Sequence, residues 1–381
     1  FSDLVKTIVL PGMNDLEKAI AVYRFSNRHT HGFGCGFGGS EMTRFLNCFG
    51  YSFCWGQADF QHLLYEAAGL RVRAPQLKGH SSVEVMIDGQ WRMLDSFMRL
   101  LIPDLELTGL ATGKTLNEHP EIWDHTREGA ILKPARDYWS LHGPGGTYEP
   151  WQDSNAMLFS LRRGELLRIE YDRRETWCVA PAMPPDFCNG VWSWQPVLDA
   201  DHILKECDDS ENVAAGRNNA LCAPDPVKAS RIEYRFKSPY PFCTGSFSAR
   251  LSGGVAMKVS ISNDGRRRWT VLQNRGAADI SCEMTPFLSR RPLKEGDTAS
   301  IPQEAMVHDV VLRMEWTGPL VLTRPVFRFL VQAHNPSLPR LAQGVNRWTL
   351  LSTDKGAPIA HSWDEFPGLI VSNVSPLEGE I

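Results

Sequence analysis

The segment between residues 54 and 95 constrains the fold more than any other part of the sequence. Apolar residues at helical spacing over 55–68 predict a helix, and Gly69 stands where a helix-ending glycine is expected. Alternating runs then predict three strands, at residues 71–75, 82–88 and 90–94. Asp88-Gly89 between the last two strands is a strong hairpin signal. A helix followed by a hairpin indicates an α+β unit.

A second helix is predicted upstream of this unit. Asn14 and Glu17 have the spacing of a capping box, and apolar residues fall mostly on one face over 16–23. The glycine-rich stretch 31–39 between the two helices is predicted to be a loop that borders a groove. A second run, 142–146, is rich in Gly and Pro and is interpreted as a domain boundary or an active-site loop.

Beyond residue 150 nearly all of the sequence is typical of β-structure. From residue 230 onward, short strands alternate with turns about every ten residues, a spacing that favours an antiparallel sandwich. We therefore predict three regions: an α+β domain over 1–150, a β-rich linking region over 151–229 and a β-sandwich domain over 230–381.

Size and charge exclude several classes of function. The chain has 381 residues, more than one compact core usually holds. Its 40 basic and 44 acidic residues give a net charge of −4 without a basic block, so nucleic acid is not an expected partner. The apolar run 320–331 is interrupted by polar residues and Pro325, and no stretch approaches the roughly 18 apolar residues that predict a membrane span.

The hairpin and the helix bring three reactive residue types together. Cys54 lies immediately before the predicted helix, where the helix dipole and free backbone N–H groups favour the thiolate. A two-residue turn at Asp88-Gly89 sets Asp95 opposite Ser82 and makes it a diagonal neighbour of His80, about 7–8 Å away at the backbone. Each residue alone has an ordinary structural explanation. Together they favour a site in which Asp95 orients His80 and His80 activates Cys54.

These residues resemble those of the transglutaminase-like superfamily, whose members share a Cys at a helix start, a His opening a strand and an Asp ending the next strand. The matching residues are Cys54, His80 and Asp95. Accompanying matches lie at Trp55, Ala58, Leu63-Leu64, Ala68-Gly69-Leu70, Arg73, Gly79, Glu84-Val85, Trp91 and Leu94. The resemblance covers residues 14–100. It implies a transglutaminase-like (papain-like cysteine) catalytic domain over 1–150, followed by antiparallel β-sandwich structure.

The resemblance also implies a reaction. The sequence Ser52-Phe-Cys-Trp55 differs from the Gly-Gln-Cys-Trp of crosslinking transglutaminases, and no Trp precedes Trp55. We therefore expect a cysteine-dependent hydrolase or acyltransferase that cleaves an amide of a peptide or glycopeptide through a Cys54 thioester, with water as the favoured acceptor and without a cofactor. Candidate substrate-binding residues are Trp55, Gln57, Tyr51, His31 and His142, of which Tyr51 and Gln57 are candidate oxyanion donors beside the Cys54 N–H.

Two other functions remain open. The first is a carbohydrate-active enzyme, a polysaccharide hydrolase or lyase, in which His80 and a Tyr or Arg move the protons; the second is a non-catalytic binding module. Trp192 and Trp194 alternate on one strand face, where they either pack in a core, the favoured interpretation, or stack on sugar rings. All three functions have a polymeric partner.

The cysteine count bears on the compartment. Nine cysteines leave at least one thiol without a partner in the chain. If Cys54 is that thiol, the other eight can form four disulfides, Cys35 with Cys48 first among them, and a secreted or periplasmic enzyme is favoured. His29, His31 and Cys35 are weak candidates for metal ligands, and we predict no metal site.

Overall fold

The computed structural model describes residues 2–32, 42–77, 79–119, 121–122, 141–146, 161–170, 187–196, 198, 203–216, 220–275, 278–288, 306–334, 359–362 and 368–373. The chain divides into two compact units. The first comprises Phe1–Ala156 with Thr298–Gln303, and the second comprises Met157–Asp297 with Glu304–Ile381.

The first unit combines helices with a small sheet. Its helices are α1 (Ser2–Ile8), α2 (Asp15–His29), α3 (Met42–Arg44), α4 (Cys54–Ala67) and α5 (Gly113–Glu118), with a π-helical turn at Phe45–Phe49. Its strands are β1 (His31–Gly32), β2 (Tyr51–Ser52), β3 (Val72–Leu77), β4 (Val83–Ile87), β5 (Gln90–Leu94) and β6 (Leu141–Gly146). Strands β5, β4, β3 and β6 form one antiparallel sheet in that order, whereas β1 and β2 pair in parallel.

Both predicted helices of this unit are confirmed. At the start of α2, the Asn14 side chain accepts from the Glu17 N–H at 2.9 Å and the Glu17 carboxylate accepts from the Asn14 N–H at 2.9 Å. Helix α4 begins at Cys54, and Gly69 after its end has φ +78°, a conformation that favours glycine. Almost every side of α4 is buried, including the sides that carry polar residues. Buried polar side chains need hydrogen-bond partners, and those of α4 find some of them in the site described below.

The predicted hairpin register is confirmed. Strands β4 and β5 pair Val83 with Leu94 and Ile87 with Gln90. Asp88 and Gly89 have φ values of +48° and +77°, as a type I′ turn requires at both central positions.

The interpretation of 142–146 as a boundary or loop was wrong. These residues lie in β6, which pairs with β3 at the edge of the sheet with two register shifts. An edge position tolerates Gly and Pro because the missing ladder donor faces outward, so composition alone did not reveal the strand.

The second unit is an antiparallel β-sandwich. Its strands are β7 (Glu165–Glu170), β8 (Phe187–Trp194), β9 (Asp209–Glu211), β10 (Ala214–Gly216), β11 (Ala220–Cys222), β12 (Ala229–Lys237), β13 (Phe242–Ser252), β14 (Met257–Ser262), β15 (Thr270–Arg275), β16 (Asp279–Glu283), β17 (Asp309–Thr317), β18 (Val321–His334), β19 (Ile359–Ser362) and β20 (Gly368–Asn373). Short helices α6 (Ile203–Glu206) and α7 (Thr285–Leu288) accompany them.

The strands form two sheets around one apolar core. Strands β15, β14, β17, β12 and β9 make the five-stranded sheet. The nine-stranded sheet follows the order β10-β11-β18-β8-β7-β20-β19, and β13 and β16 continue it from β18. Strands β7 and β8, which fall in the predicted linking region, are thus hydrogen-bonded into the same sheet as β18.

The core interpretation of the alternating tryptophans is confirmed. Trp192 and Trp194 are 2% and 1% exposed, too little for either to stack on a sugar at the surface. Trp194 stacks on Phe327 at 5.5 Å and meets Tyr234 edge-on at 5.0 Å, so aromatic residues from both sheets interlock.

Two further expectations meet the structure here. No helix among the described ranges is long and apolar enough to cross a membrane. Cys54, Cys207, Cys222 and Cys282 are all free thiols, so the expectation of four disulfides was wrong. Cys35 lies outside the described residues, and its pairing with Cys48 stays a prediction.

Candidate functional site

The site is built at the N-terminus of helix α4. The π-helical turn ends at Gly50, whose φ of +66° reverses the chain, and β2 then leads into the helix. Cys54 is the first residue of α4, and no side chain caps this helix end. Free N–H groups and the dipole of a helix favour the thiolate of a cysteine in this position.

The hairpin delivers the partner residues. His80 lies just before β4 and Asp95 just after β5, and the register brings His80 Nε2 to 2.6 Å from Asp95 Oδ2. Both side chains are buried, at 7% and 2% exposure. Asp95 Oδ1 accepts a hydrogen bond from the Met98 N–H at 2.6 Å, so the carboxylate is fixed at both oxygens. With Nε2 committed to Asp95, Nδ1 is the imidazole nitrogen left for a nucleophile.

His80 is also hydrogen-bonded to the Cys54 side chain. Burial opposes ionisation of the thiol, but the hydrogen bond and the charge of His80 outweigh it and leave the pKa of Cys54 below its ordinary value. Burial likewise disfavours the imidazolium, yet hydrogen bonds to Asp95 and Cys54 raise the pKa of His80 to about 9. Opposite shifts in a touching pair favour a thiolate facing an imidazolium.

Ser81 is a residue of the candidate site that sequence reasoning missed. Its backbone N–H and its hydroxyl both hydrogen-bond to the Cys54 sulfur and help to lower the pKa of the thiol. Its place directly after His80 was the only signal in the sequence.

Gln57, a predicted substrate-binding residue, lies inside the unit. It is 1% exposed; its Nε2 donates to the His31 carbonyl at 2.8 Å and its Oε1 accepts from the Thr30 hydroxyl at 2.6 Å. The amide thereby ties β1 to helix α4, one turn beyond Cys54.

The other predicted substrate-binding residues have different surroundings. Tyr51 is 3% exposed and packs edge-on against Phe49 at 6.3 Å, whereas Trp55 is half-buried beside Cys54. His31 is half-buried, and its Nδ1 lies 3.0 Å from Nη2 of Arg99. His142 falls in β6, and its side chain lies outside the described residues.

Asp59 is a second residue that the sequence did not single out. It lies on α4 five residues after Cys54 and is 5% exposed, and its Oδ1 has no hydrogen-bond partner among the described residues. Burial raises the pKa of this carboxyl to about 7. A carboxyl in this position is held neutral over most of the acidic range.

The described residues contain no cluster of three or more His, Cys, Asp or Glu side chains arranged to hold a metal. His29 stacks on Phe25 at 4.3 Å, and Cys35 lies outside the described residues.

Comparison with known proteins leaves the family open. No family model and no curated protein matches the sequence. A family two carbohydrate esterase from Cellvibrio japonicus matches with a TM-score of 0.23 and 9% identity, over 41% of this chain and 37% of the esterase. A variant of a family 29 carbohydrate-binding module matches with a TM-score of 0.19 and 10% identity, over 40% of this chain and 82% of the module. Likenesses of this size assign neither a fold family nor an activity.

Proposed function

We propose that the protein is a cysteine-dependent hydrolase that transfers an acyl group from an amide to water, on a transglutaminase-like core. The observation that supports it is the chain of contacts from the Cys54 thiol through His80 to the buried Asp95, with 2.6 Å between the last two side chains. This is the nucleophile–base–orienter arrangement of acyl-transfer sites.

In the first half-reaction, the Cys54 thiolate attacks the carbonyl carbon and forms an S–C bond. The carbonyl oxygen becomes an oxyanion beside the free N–H groups at the start of α4. When the C–N bond breaks, the His80 imidazolium gives its proton to the leaving amine.

In the second half-reaction, neutral His80 takes a proton from water, whose oxygen attacks the thioester. The S–C bond breaks, the carboxylic acid leaves, and the thiolate and imidazolium are restored. Asp95 stabilises the imidazolium throughout without taking its proton.

A panel of peptide and glycopeptide amides tests this proposal with the wild-type protein and Cys54→Ala. We expect amide cleavage to fall at least about 100-fold in Cys54→Ala while circular dichroism stays unchanged. Mass spectrometry of the wild type should show an acyl adduct on Cys54. Cys222→Ala is the matched control, since Cys222 is a half-buried free thiol of the β-sandwich. Full turnover by Cys54→Ala contradicts the proposal.

The second candidate is an enzyme acting on carbohydrate. It is favoured by a cavity of about 410 Å³ in the β-sandwich, where polar Asn263, Asp264 and Thr270 lie beside the ring of Phe287. Hydroxyl-bonding groups next to an aromatic ring suit a sugar. Adding neutral and acidic polysaccharides to the panel separates the candidates, because cleavage of a glycan that survives in Cys54→Ala supports the second and contradicts the first.

A further inference from the structure

The loop that follows Asp95 forms one wall beside the catalytic histidine. Asp95 and Leu100 exchange backbone hydrogen bonds of 3.2 and 2.9 Å, which close a turn over residues 96–99. Within this turn the Phe97 ring lies 5.7 Å from the His80 ring, centroid to centroid. The loop is therefore fixed to the catalytic site at its first residue and again at Phe97.

The same loop touches β1 on its other side. A Cβ on Gly32 would lie 2.7 Å from the Phe97 ring and from the Phe97 carbonyl oxygen, so this close approach requires glycine. Next to Gly32, His31 is held to helix α4 through its carbonyl by Gln57. Strand β1, the loop and the start of α4 thus converge around His80.

Arg99 is unusual in this loop. Its φ of +57° is a left-handed conformation that Gly or Asn adopts with less strain, and the side chain is exposed. Its Nη2 donates to His31 Nδ1 at 3.0 Å. Within the described part of the chain, Arg99 makes no ion pair with any acidic side chain. A strained arginine whose described hydrogen bond is to a histidine, and whose other donors have no partner among the described residues, is suited to an anion supplied by a ligand.

We propose that Arg99, positioned by His31, binds a carboxylate of the acyl substrate, so that the enzyme selects amides carrying a negative charge near the scissile bond. This inference rests on the proposed function, because it assigns the substrate class of the Cys54 site. Arg99 would act as a specificity residue and His31 as its positioning residue.

The test compares two alkylating reagents that differ in charge. Iodoacetate and iodoacetamide both place a methylene carbon on the Cys54 sulfur and release iodide, but only iodoacetate carries a carboxylate. Peptide mapping by mass spectrometry gives both rate constants at Cys54 itself. The measured quantity is the ratio of the iodoacetate rate to the iodoacetamide rate.

Four proteins are compared: wild type, Arg99→Gly, Arg99→Lys and Arg24→Gln. Arg99→Gly removes the charge and suits the positive φ, so the fold is retained, whereas Arg99→Lys keeps a cation. Arg24 is the matched control because it is exposed on helix α2, away from the loop that follows Asp95 in the sequence. We expect the ratio to fall about threefold in Arg99→Gly, because two opposite unit charges in water attract by about that factor at a separation of roughly 7 Å. It should hold within error in Arg99→Lys and Arg24→Gln.

The salt dependence adds a second readout. At about 1 M NaCl, where the Debye length is about 3 Å, the difference between wild type and Arg99→Gly should disappear. An unchanged ratio in Arg99→Gly, or an equal fall in Arg24→Gln, overturns the role of Arg99 but not the proposed function. A Cys54 that reacts with iodoacetamide no faster than Cys222 contradicts the proposed function, and the substrate assignment with it.

Discussion

Two buried carboxyl groups, one in each unit, have opposite surroundings. In the β-sandwich, Glu233 is 1% exposed and is met by Arg266 at 2.8 Å and Arg313 at 2.7 Å. Around helix α4, by contrast, Asp59 is buried without a cationic partner among the described residues. In the same unit the pKa of Cys54 is lowered and the pKa of His80 is raised, so each shift favours the charged form of its own group.

This difference distinguishes buried charges that stabilise a fold from charges that serve a reaction. The charge of a buried carboxylate that meets two arginines is compensated by theirs. Groups with opposed pKa shifts in contact are typical of catalytic sites, where a site retains reactivity at some expense to stability. The first unit is thus where we expect substitutions to change reactivity, and the second is where we expect them to change the free energy of unfolding.

Trp194→Ala should destabilise the β-sandwich strongly. Its indole is packed between aromatic residues of both sheets, and its removal leaves a large cavity. We expect the free energy of unfolding, measured with denaturant, to fall by about 3–5 kcal/mol. Val271→Ala is the control, because Val271 is 51% exposed, and it should stay within about 0.5 kcal/mol. A fall as small as that of the control would contradict the assignment of Trp194 to the core.

In the first unit, His80→Ala should lower the reactivity of the Cys54 thiol. The wild-type pair is a thiolate and an imidazolium between the lowered pKa of Cys54 and about pH 9, the raised pKa of His80. Without the imidazolium, the Cys54 pKa returns toward about 8.5 and only about 1% of the thiol is thiolate near pH 6.5, so alkylation by iodoacetamide should be slower there than in the wild type.

The pH profile sharpens this comparison. Wild-type alkylation should begin to fall at a lower pH than alkylation of His80→Ala, whose rate should fall about tenfold per pH unit below about pH 8. The control is His119→Ala, since the His119 side chain is 43% exposed and pairs with Glu121. A rate in His80→Ala equal to that of the wild type would show that His80 does not activate the thiol.

Asp59→Asn should show an effect that depends on pH and disappears near pH 4. The folded-state pKa of Asp59 is raised to about 7, so an unfolded chain releases this proton from about pH 4 upward while the folded chain keeps it. The wild type therefore loses stability as the pH rises toward 7, by about 2 kcal/mol between about pH 4 and about pH 5.5.

The asparagine variant lacks this proton linkage. Its free energy of unfolding should match that of the wild type near pH 4 and exceed it near pH 7, as measured by urea titration at both values. Asp279→Asn serves as the control, because Asp279 is exposed and pairs with Arg250, and its change should stay near zero. Equal pH dependence in wild type and Asp59→Asn would refute a buried, protonated Asp59.

Local signals in the sequence predicted the parts of the site that depend on neighbouring residues. Asp88-Gly89 determined the hairpin register, and that register placed His80 against Asp95 because pairing from a two-residue turn leaves no freedom along the strands. The start of α4 at Cys54 was likewise visible from the apolar stripe that follows it.

The sequence alone therefore determined the helix, the hairpin and the capping box, because each rests on contacts between residues close in the chain. Only the tertiary structure decided that Ser81 contacts the Cys54 sulfur, that Arg99 reaches His31 across 68 positions, and that β7 and β8 join the sheet of β18. Contacts between distant segments depend on how whole elements pack, and no local periodicity records that packing.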